Sequence, residues 1–361
     1  MSRLAAYIVT APGLEQVTAA EMMRLDMKVV DLGIGGLTAS LTWSQMMLAH
    51  LHLRTPTRML VRLGRFQASG FGDLQHGLRD IPLHEWLPRH SALRLGITAS
   101  GSRLFNLEAI EDNVRSVVKR NEVEGQTYEG GIYTLHVRIS RNVATVSLDA
   151  TGESLYYRDW RGDVGAPLRS SIAAALVHWS GARAYKGALI DPCCGDGTVI
   201  IEAASMARRI PSGRNRPFAF EQWLPIESGQ MAKLQAAALA DVRPALKKPY
   251  LACDSSVELL GLAKANAQRA GVADDIQFEL GDGAKFLLAH APAAVVTNTP
   301  QNDRLSVAKR AALLKAIGEA PRFAVATAAA SLRGLDREFD DTLATSNGLS
   351  AVRFAAVGFG S

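Results

Sequence analysis

Cysteine is scarce in this chain of 361 residues: there are three, Cys193, Cys194 and Cys253. An odd number without framework spacing argues against a secreted disulfide scaffold. No C-x-x-C pair occurs and no histidine stands at ligand spacing from a cysteine, so no structural metal site is expected. Long apolar runs are also missing. Stretches such as AASMA and AVATAAA fall far short of the ~20 residues a membrane span needs. The N-terminus MSRLAAYIVTAPGLEQV lacks the 7–15-residue apolar core and cleavage signal of a secretory leader. No low-complexity segment or internal repeat is evident. These absences lead to the expectation of a cytoplasmic protein with neither metal nor membrane partner.

What is present is a globular composition. The chain is 48% hydrophobic with a mean hydropathy of +0.04 and 6% aromatic residues, enough for a sizeable core. The formal net charge of +5 fits a nucleic-acid partner without requiring one. At this length two domains, or one with an appendage, are expected. Residues 5–11 read as a strand, 11–26 as a helix with apolar residues at three-to-four spacing, and 61–69 as a strand again. A second unit follows, with a strand over 91–100, a helix over 106–120 with a basic end, and two strands joined by a turn at Arg141-Asn142. A helix over 166–181 then leads into a different regime. From 186 onward apolar strands (GALID, PYLACD, IQFELGD, AVVTN, RFAVATAA, AVRFAAVGF) alternate with helices. This pattern predicts an α/β sheet buried on both faces, with ligands at the carboxyl ends of its strands.

Those strand ends carry the candidate chemistry. DPCCGDGTVIIEAA (191–204) places Asp191 at a strand end, Gly195 and Gly197 in the turn, and Thr198 at the start of a helix. It is not a P-loop, because no Lys stands beside Thr198, and not a dinucleotide fingerprint, because Glu202 occupies the close-packing glycine position. Asp254 ends the next strand and Asp282 the one after. An acid at the second strand end can accept from ribose hydroxyls, and one near the third from an adenine amine. Each acid taken singly reads as a turn or helix cap. The ordered set, with its glycines, suits a cationic or neutral nucleoside and points to S-adenosylmethionine. The adjacent Cys193-Cys194 pair supplies small side chains there rather than redox chemistry.

The ordered blocks GLEQVTAAEM (13–22), TPTRMLVRLGRF (55–66), VSLDATGESLYYRDWRGDVGAPLRSSIAAAL (146–176), DPCCGDGTVIIEAA, RIPSGRNRPFAFEQW (209–223), LACDSSVELLGLAKANAQRAGVADDIQFELGD (251–282) and TNTPQNDR (297–304) carry a similarity that extends over nearly the whole chain. In them the chain resembles the THUMP-domain RNA methyltransferases that modify guanine N2 in ribosomal or transfer RNA. The resemblance implies an N-terminal ferredoxin-like segment (1–69), a THUMP RNA-binding domain (70–155), a linker and leading helix (156–180) and a Rossmann-like class I methyltransferase domain (181–361). Asp191, Gly195, Asp254 and Asp282 match cofactor positions of that family. Cys193, Gly197, Thr198, Ser255, Gly283 and Asn298 complete the candidate set.

Basic and aromatic residues supply the candidate RNA contacts, because phosphates attract Arg and Lys while unpaired bases stack on rings. Arg54, Arg58, Arg62 and Arg65 are interleaved with apolar residues in TPTRMLVRLGRF. Arg115, Lys119 and Arg120 end a helix. Tyr156, Tyr157, Arg158, Trp160 and Arg161 form the densest cluster, and RRIPSGRNR adds Arg214 and Arg216. The same residues also suit an ordinary linker with arginine stems lying over apolar surface.

The loop TNTPQNDR (297–304) stands where an acceptor would be gripped. An exocyclic guanine amine is a poor nucleophile and must be held in line with the methyl. The Asn298 side chain and Thr299 carbonyl are expected to accept its two hydrogens, and Pro300 to stiffen the loop. The resembled family has Asn-Pro-Pro-Tyr here, followed by Gly and a later Arg. Asn298, Pro300 and Arg304 remain, whereas Thr299, Gln301 and Asn302 depart from the pattern. Loss of the ring at Gln301 removes a stacking contribution of about 1–3 kcal/mol, for which Phe218 and Phe220 are candidate substitutes. Two expectations stay open: an active guanine-N2 methyltransferase acting on 23S ribosomal or transfer RNA, or a cofactor- and RNA-binding relative that has lost catalysis, such as a ribosome-assembly factor. A DNA adenine methyltransferase uses a similar loop but leaves residues 1–160 unexplained.

Overall fold

Two seven-stranded sheets follow from two hydrophobic patterns. A computed structural model describes residues 3–118, 130–162, 168–290, 294–300, 305–348 and 350–359. In the N-terminal half, apolar residues recur every second position. The strands β1 (Leu4–Val9), β2 (Val29–Gly33), β3 (Gly36–Leu41), β4 (Arg58–Gln67), β5 (Ala92–Ser100), β6 (Ile132–Ser140) and β7 (Val143–Asp149) assemble in the order β2-β3-β1-β4-β7-β6-β5. All neighbours are antiparallel except β5 and β6. The sheet is continuous across residues 69 and 70, because β4 pairs with β1 on one side and β7 on the other.

The period of two puts alternate residues on opposite faces. Ile8, Val61, Val137 and Val146 point into one core. Helices α1 (Glu15–Met23), α2 (Trp43–His52), α3 (Phe71–Arg79), α4 (Leu83–Trp86) and α5 (Leu107–Val118) cover that face. Met22, Met46, Met47, Leu74, Leu78, Leu83, Ile110 and Val114 belong to the same cluster. The opposite face carries Thr, Ser and Arg.

The C-terminal half reads differently because its central strands are largely apolar on both faces. β8 (Leu189–Asp191), β9 (Tyr250–Asp254), β10 (Ile276–Leu280), β11 (Ala294–Asn298), β12 (Arg322–Thr327), β13 (Asp341–Asn347) and β14 (Ser350–Val357) lie in the order β10-β9-β8-β11-β12-β14-β13. The first five are parallel and the last two antiparallel. Leu189, Ala252, Val296 and Ala324 pack on one face against helices α6 (Ser170–Trp179), α7 (Thr198–Ala207) and α9 (Val257–Ala270). Ile190, Cys253, Val295 and Phe323 pack on the other against α10 (Gly283–Ala289) and α11 (Val307–Glu319). Helix α8 (Gln230–Ala240) packs instead on the first core through Met231. The strand order reverses between β8 and β11, which opens a crevice at their carboxyl ends. No helix among the described residues is long and apolar enough to cross a membrane.

A buried polar seam joins the halves. Glu202 on α7 is fully buried and accepts from Arg54 Nη1 at 2.6 Å and Arg158 Nε at 2.8 Å. Glu21 on α1 accepts from the backbone amides of Arg54 (2.8 Å) and Thr55 (3.0 Å) and lies 3.2 Å from His178 Nε2 on α6. Burial opposes its ionisation, yet His178 and the Thr55 hydrogen bonds outweigh this and hold its carboxyl down at about 2. The glutamate in the glycine position of the turn motif is therefore a tie between sheets.

Candidate functional site

The crevice is built from the exits of β8, β9, β10 and β11. Asp191 ends β8 with 1% exposure, accepting from Thr297 Oγ1 at 2.6 Å and from the Cys193 amide at 3.3 Å. Burial pushes its carboxyl up to about 7, and the neighbouring charges of Asp254 and Asp196 add to the rise. Asp254, at the end of β9, accepts from the Gly195 amide (2.8 Å) and the Ser256 amide (2.9 Å). Ser255 lies exposed beside it.

The two glycines of the turn serve different ends. Gly195 has φ +56° and nothing within 4 Å of where a Cβ would stand, so it faces open space. Gly197 has φ +83°, and a Cβ there would lie 2.9 Å from Ile201 Cδ1 and 3.1 Å from Ala263 Cβ, so it is required by packing of α7 on α9. Thr198 is buried at the start of α7, with its hydroxyl 2.6 Å from Asp196 Oδ1. Asp282 caps α10, accepting from the Ala284 (3.1 Å) and Lys285 (3.2 Å) amides through Oδ1. A Cβ on Gly283 would come within 2.2 Å of Pro192 O, so the β10 exit rests directly on the β8 exit.

The cysteines are small neutral lining. Cys193 Sγ lies 3.1 Å from Thr297 Oγ1 and 3.5 Å from Asn298 O. Burial holds the Cys193 and Cys194 thiols well above their usual range and lifts Cys253 to about 12. All three are free, and no cluster of side chains able to hold a metal occurs among the described residues.

At the end of β11, Asn298 Oδ1 is shielded from solvent and has no hydrogen-bond partner among the described residues. A buried carbonyl without a donor costs about 1–3 kcal/mol, which a ligand amine would recover. Thr299 is 2% exposed; its amide donates to Ala326 O at 2.9 Å and its hydroxyl bonds Thr327 Oγ1. The loop is thus held by strand-like bonding where the sequence suggests proline stiffness from Pro300 alone. Gln301 and Arg304 lie outside the described residues, as do Lys119 and Arg120.

Burial overturns part of the expected RNA surface. Arg158 and Trp160 are each 5% exposed; Arg158 is committed to Glu202, the Leu155 carbonyl and the Arg54 carbonyl. A guanidinium between a buried carboxylate and two carbonyls is an internal tie, not a phosphate contact. Phe218 and Phe220 are also buried, packed on His50 at ring separations of 5.0 and 4.8 Å in the N-terminal core, so neither offers a face to a base. Arg161 pairs with Asp196 at 2.9 Å and braces the glycine turn. Arg214 donates to the Ala270 carbonyl at 2.8 Å, and Arg216 to Ser154 and Tyr157 carbonyls at 2.9 and 3.1 Å. Arg115 pairs with Glu111 one helical turn away, and Tyr157 is 52% exposed.

The residues missed from sequence are the supports. Thr297 orients Asp191, Thr327 anchors Thr299, and Asn266 donates to the Asp196 carbonyl at 2.8 Å while accepting from the Gly162 amide at 3.0 Å. Each is a single polar residue in an otherwise regular strand or helix, with no spacing signal of its own.

Comparison with known proteins agrees with this architecture. The family model "RMKL-like, methyltransferase domain" matches residues 158–347, and "RlmL ferredoxin-like domain" matches residues 6–60. Ribosomal RNA large subunit methyltransferase K/L of Psychromonas ingrahamii is 29% identical over 319 residues, 84% of this chain and 42% of that protein. YpsC of Bacillus subtilis is 29% identical over 276 residues, 72% of this chain and 70% of YpsC. The chain spans less than half the length of the K/L relatives it matches. SMU.472, crystallised with SAH, superposes with a TM-score of 0.86 at 21% identity over 99% of this chain and 98% of its own. A protein of Clostridium difficile 630 gives 0.88 at 22% identity over 98% of both chains. At such identities the likeness is one of fold. With its family model matching more than half of its length, the chain belongs to the RMKL-like methyltransferase-domain family.

Proposed function

We propose that the protein transfers a methyl group from S-adenosylmethionine to the exocyclic N2 amine of a guanosine in structured RNA, either 23S ribosomal or transfer RNA, in the cytoplasm. The observation that carries this reading is the orphaned Asn298 Oδ1 at the β8/β11 switch point. It stands beside the acidic set of Asp191, Asp196 and Asp254, where burial first and the neighbouring carboxylates second lift Asp191 to about 7. Such a set fits a cationic nucleoside better than a pyrophosphate. The names of the K/L relatives assign ribosomal RNA methylation to those proteins, and SMU.472 supplies a case of this fold with SAH bound.

In this reading Asp191, Cys193, Gly195, Gly197, Thr198, Asp254, Ser255, Asp282 and Gly283 hold the cofactor, which supplies an electrophilic methyl on sulfur. Asp254 accepts from ribose hydroxyls through lone pairs its two backbone donors leave free, and open space at Gly195 admits the ligand. Asn298 Oδ1 and the Thr299 carbonyl accept the amine hydrogens, which turns the nitrogen lone pair toward the methyl. Thr299 and Pro300 fix that geometry from below. The amine proton leaves after attack, so no strong base is required. Residues 70–155 act as a THUMP RNA-binding domain, with 1–69 as its ferredoxin-like neighbour, and 156–180 link them to the methyltransferase domain.

Incubation with radiolabelled S-adenosylmethionine and total RNA from cells lacking the protein should label N2-methylguanosine. Asn298→Ala should abolish labelling while sparing cofactor affinity. Tight cofactor and RNA binding without any labelled nucleoside would instead establish a non-catalytic RNA-binding factor, the outcome toward which Gln301 leans.

A further inference from the structure

The face of the N-terminal sheet opposite its helices carries polar side chains that the methyl-transfer reading leaves without a role. Strand pairing places Arg65, Thr145, Arg138 and Thr98 directly opposite one another on β4, β7, β6 and β5. Side chains of paired residues point to the same side of a sheet, and Arg65, Arg138 and Thr98 are exposed. One row on lies Arg62, with Ser147, His136 and Gly96, and beyond it Arg94. The rows alternate with Val61, Leu135, Val137 and Val146, all buried under the helices on the other face.

Charge on this face is one-sided. Among the described residues Arg65, Arg94 and Arg138 make no ion pair. Arg62 is turned onto the Tyr7 ring at 5.0 Å and donates to Thr38 Oγ1 at 3.1 Å, leaving its charge uncompensated. Burial lowers its affinity for a proton, and the charges of Arg138 and Arg65 lower it further, placing the three guanidiniums within one field. Among the described residues, two carboxylates face them. Asp149 is buried and committed to Arg58 and to the Thr151 and Gly152 amides, while Asp31 lies on the edge strand β2. Between the arginines stand hydroxyls of Thr98, Thr145 and Ser140, short donors suited to phosphate oxygens.

We infer that this open sheet face is a track for the phosphate backbone of the RNA substrate, gripped by Arg65, Arg94, Arg138 and Arg62. The inference rests on the RNA reading above and adds where the polymer lies. Arg65 and Arg138 are two strands apart, about 10 Å, a span suited to separate phosphates and not to one. Tyr7 is already covered by Arg62, so the face reads charge and shape and not base identity.

The test uses the full chain, a fluorescein-labelled hairpin RNA transcribed in vitro, and anisotropy at several salt concentrations. Arg65→Glu/Arg138→Glu should weaken RNA binding about tenfold or more and flatten the slope of log K against log salt by roughly 1.5. S-adenosylmethionine affinity and melting temperature should not move. Lys233→Glu/Lys247→Glu, which changes the same charge elsewhere on the exposed surface, should leave RNA binding near wild type. Equal loss in both double variants, or no loss in the first, overturns the track. A wild-type chain that binds no RNA at all fails the parent reading instead. A change of oligomeric state in Arg65→Glu/Arg138→Glu would overturn the track by making the face a contact between copies.

Discussion

The Thr299 amide donates to the Ala326 carbonyl at 2.9 Å, extending the pairing of β11 with β12 one residue past Asn298. A proline there has no N–H to give. Where the resembled family stiffens this loop with a second proline ring, this chain uses a ladder bond and the hydroxyl contact to Thr327. Thr299→Pro, which restores the family motif, should therefore destabilise the protein by about 1–3 kcal/mol, through a buried carbonyl and hydroxyl left unpaired. Thr299→Ser should be near neutral. Chemical denaturation of the two variants separates the cases.

Asp191 makes stability pH-dependent with a definite sign. Its carboxyl is raised from 3.8 to about 7 on folding, so between those values the native state holds a proton that the unfolded state has released. Its contribution is complete below about 4 and is lost as pH rises toward 7. The ligand-free melting temperature should fall across that window beyond the baseline of Asp191→Asn. A cationic ligand favours the carboxylate, so cofactor affinity should rise with pH through the same range, and Asp191→Asn should flatten that rise. Calorimetry at pH 5.5, 6.5 and 7.5 checks both.

Removing the carboxylate of Glu202 should leave the guanidiniums of Arg54 and Arg158 buried and unpaired. Glu202→Ala is expected to cost about 3–5 kcal/mol. Glu202→Gln, whose one carbonyl oxygen keeps a single acceptor bond to one of them, should cost less. Limited proteolysis should show the variant opening first between the two sheets, where the seam lies.

Asp254→Ala deletes the acceptor of the Gly195 and Ser256 amides. A hydrogen bond to a charged group is worth about 1.5–3 kcal/mol, so S-adenosylmethionine binding measured by calorimetry should weaken by roughly 10- to 100-fold. Unchanged affinity would remove this acid from the cofactor set.

Much of this was legible in the residues, and what escaped did so for physical reasons. The expected strands near 5–11, 91–100, 187–191 and 294–298 meet β1, β5, β8 and β11 within a few residues, because a period of two and unbroken apolar runs are local signals. Asp191, Asp254 and Asn298 share one crevice because parallel strands place their carboxyl ends together. Hidden from the sequence were β13, whose DTLATSN has little apolar content although Asn347-Gly348 is a hairpin signal, and α3, α8 and α10. Arg158 and Trp160 looked like a surface because composition does not reveal burial; the buried Glu202 that draws Arg158 inward is 44 residues away. Asp282 and Gly197 combine a site position with a structural role that only packing reveals.

The pairing of β4 with both β1 and β7 has a consequence for how the protein can be divided. A fragment beginning at residue 70 would carry β7 with seven residues of its bonding edge bare, from Val143 to Asp149. Bare edges of that length recruit other chains. Residues 4–149 therefore inherit, swap and truncate as one piece. Their ties to the C-terminal half run through the buried carboxylates of Glu202 and Glu21.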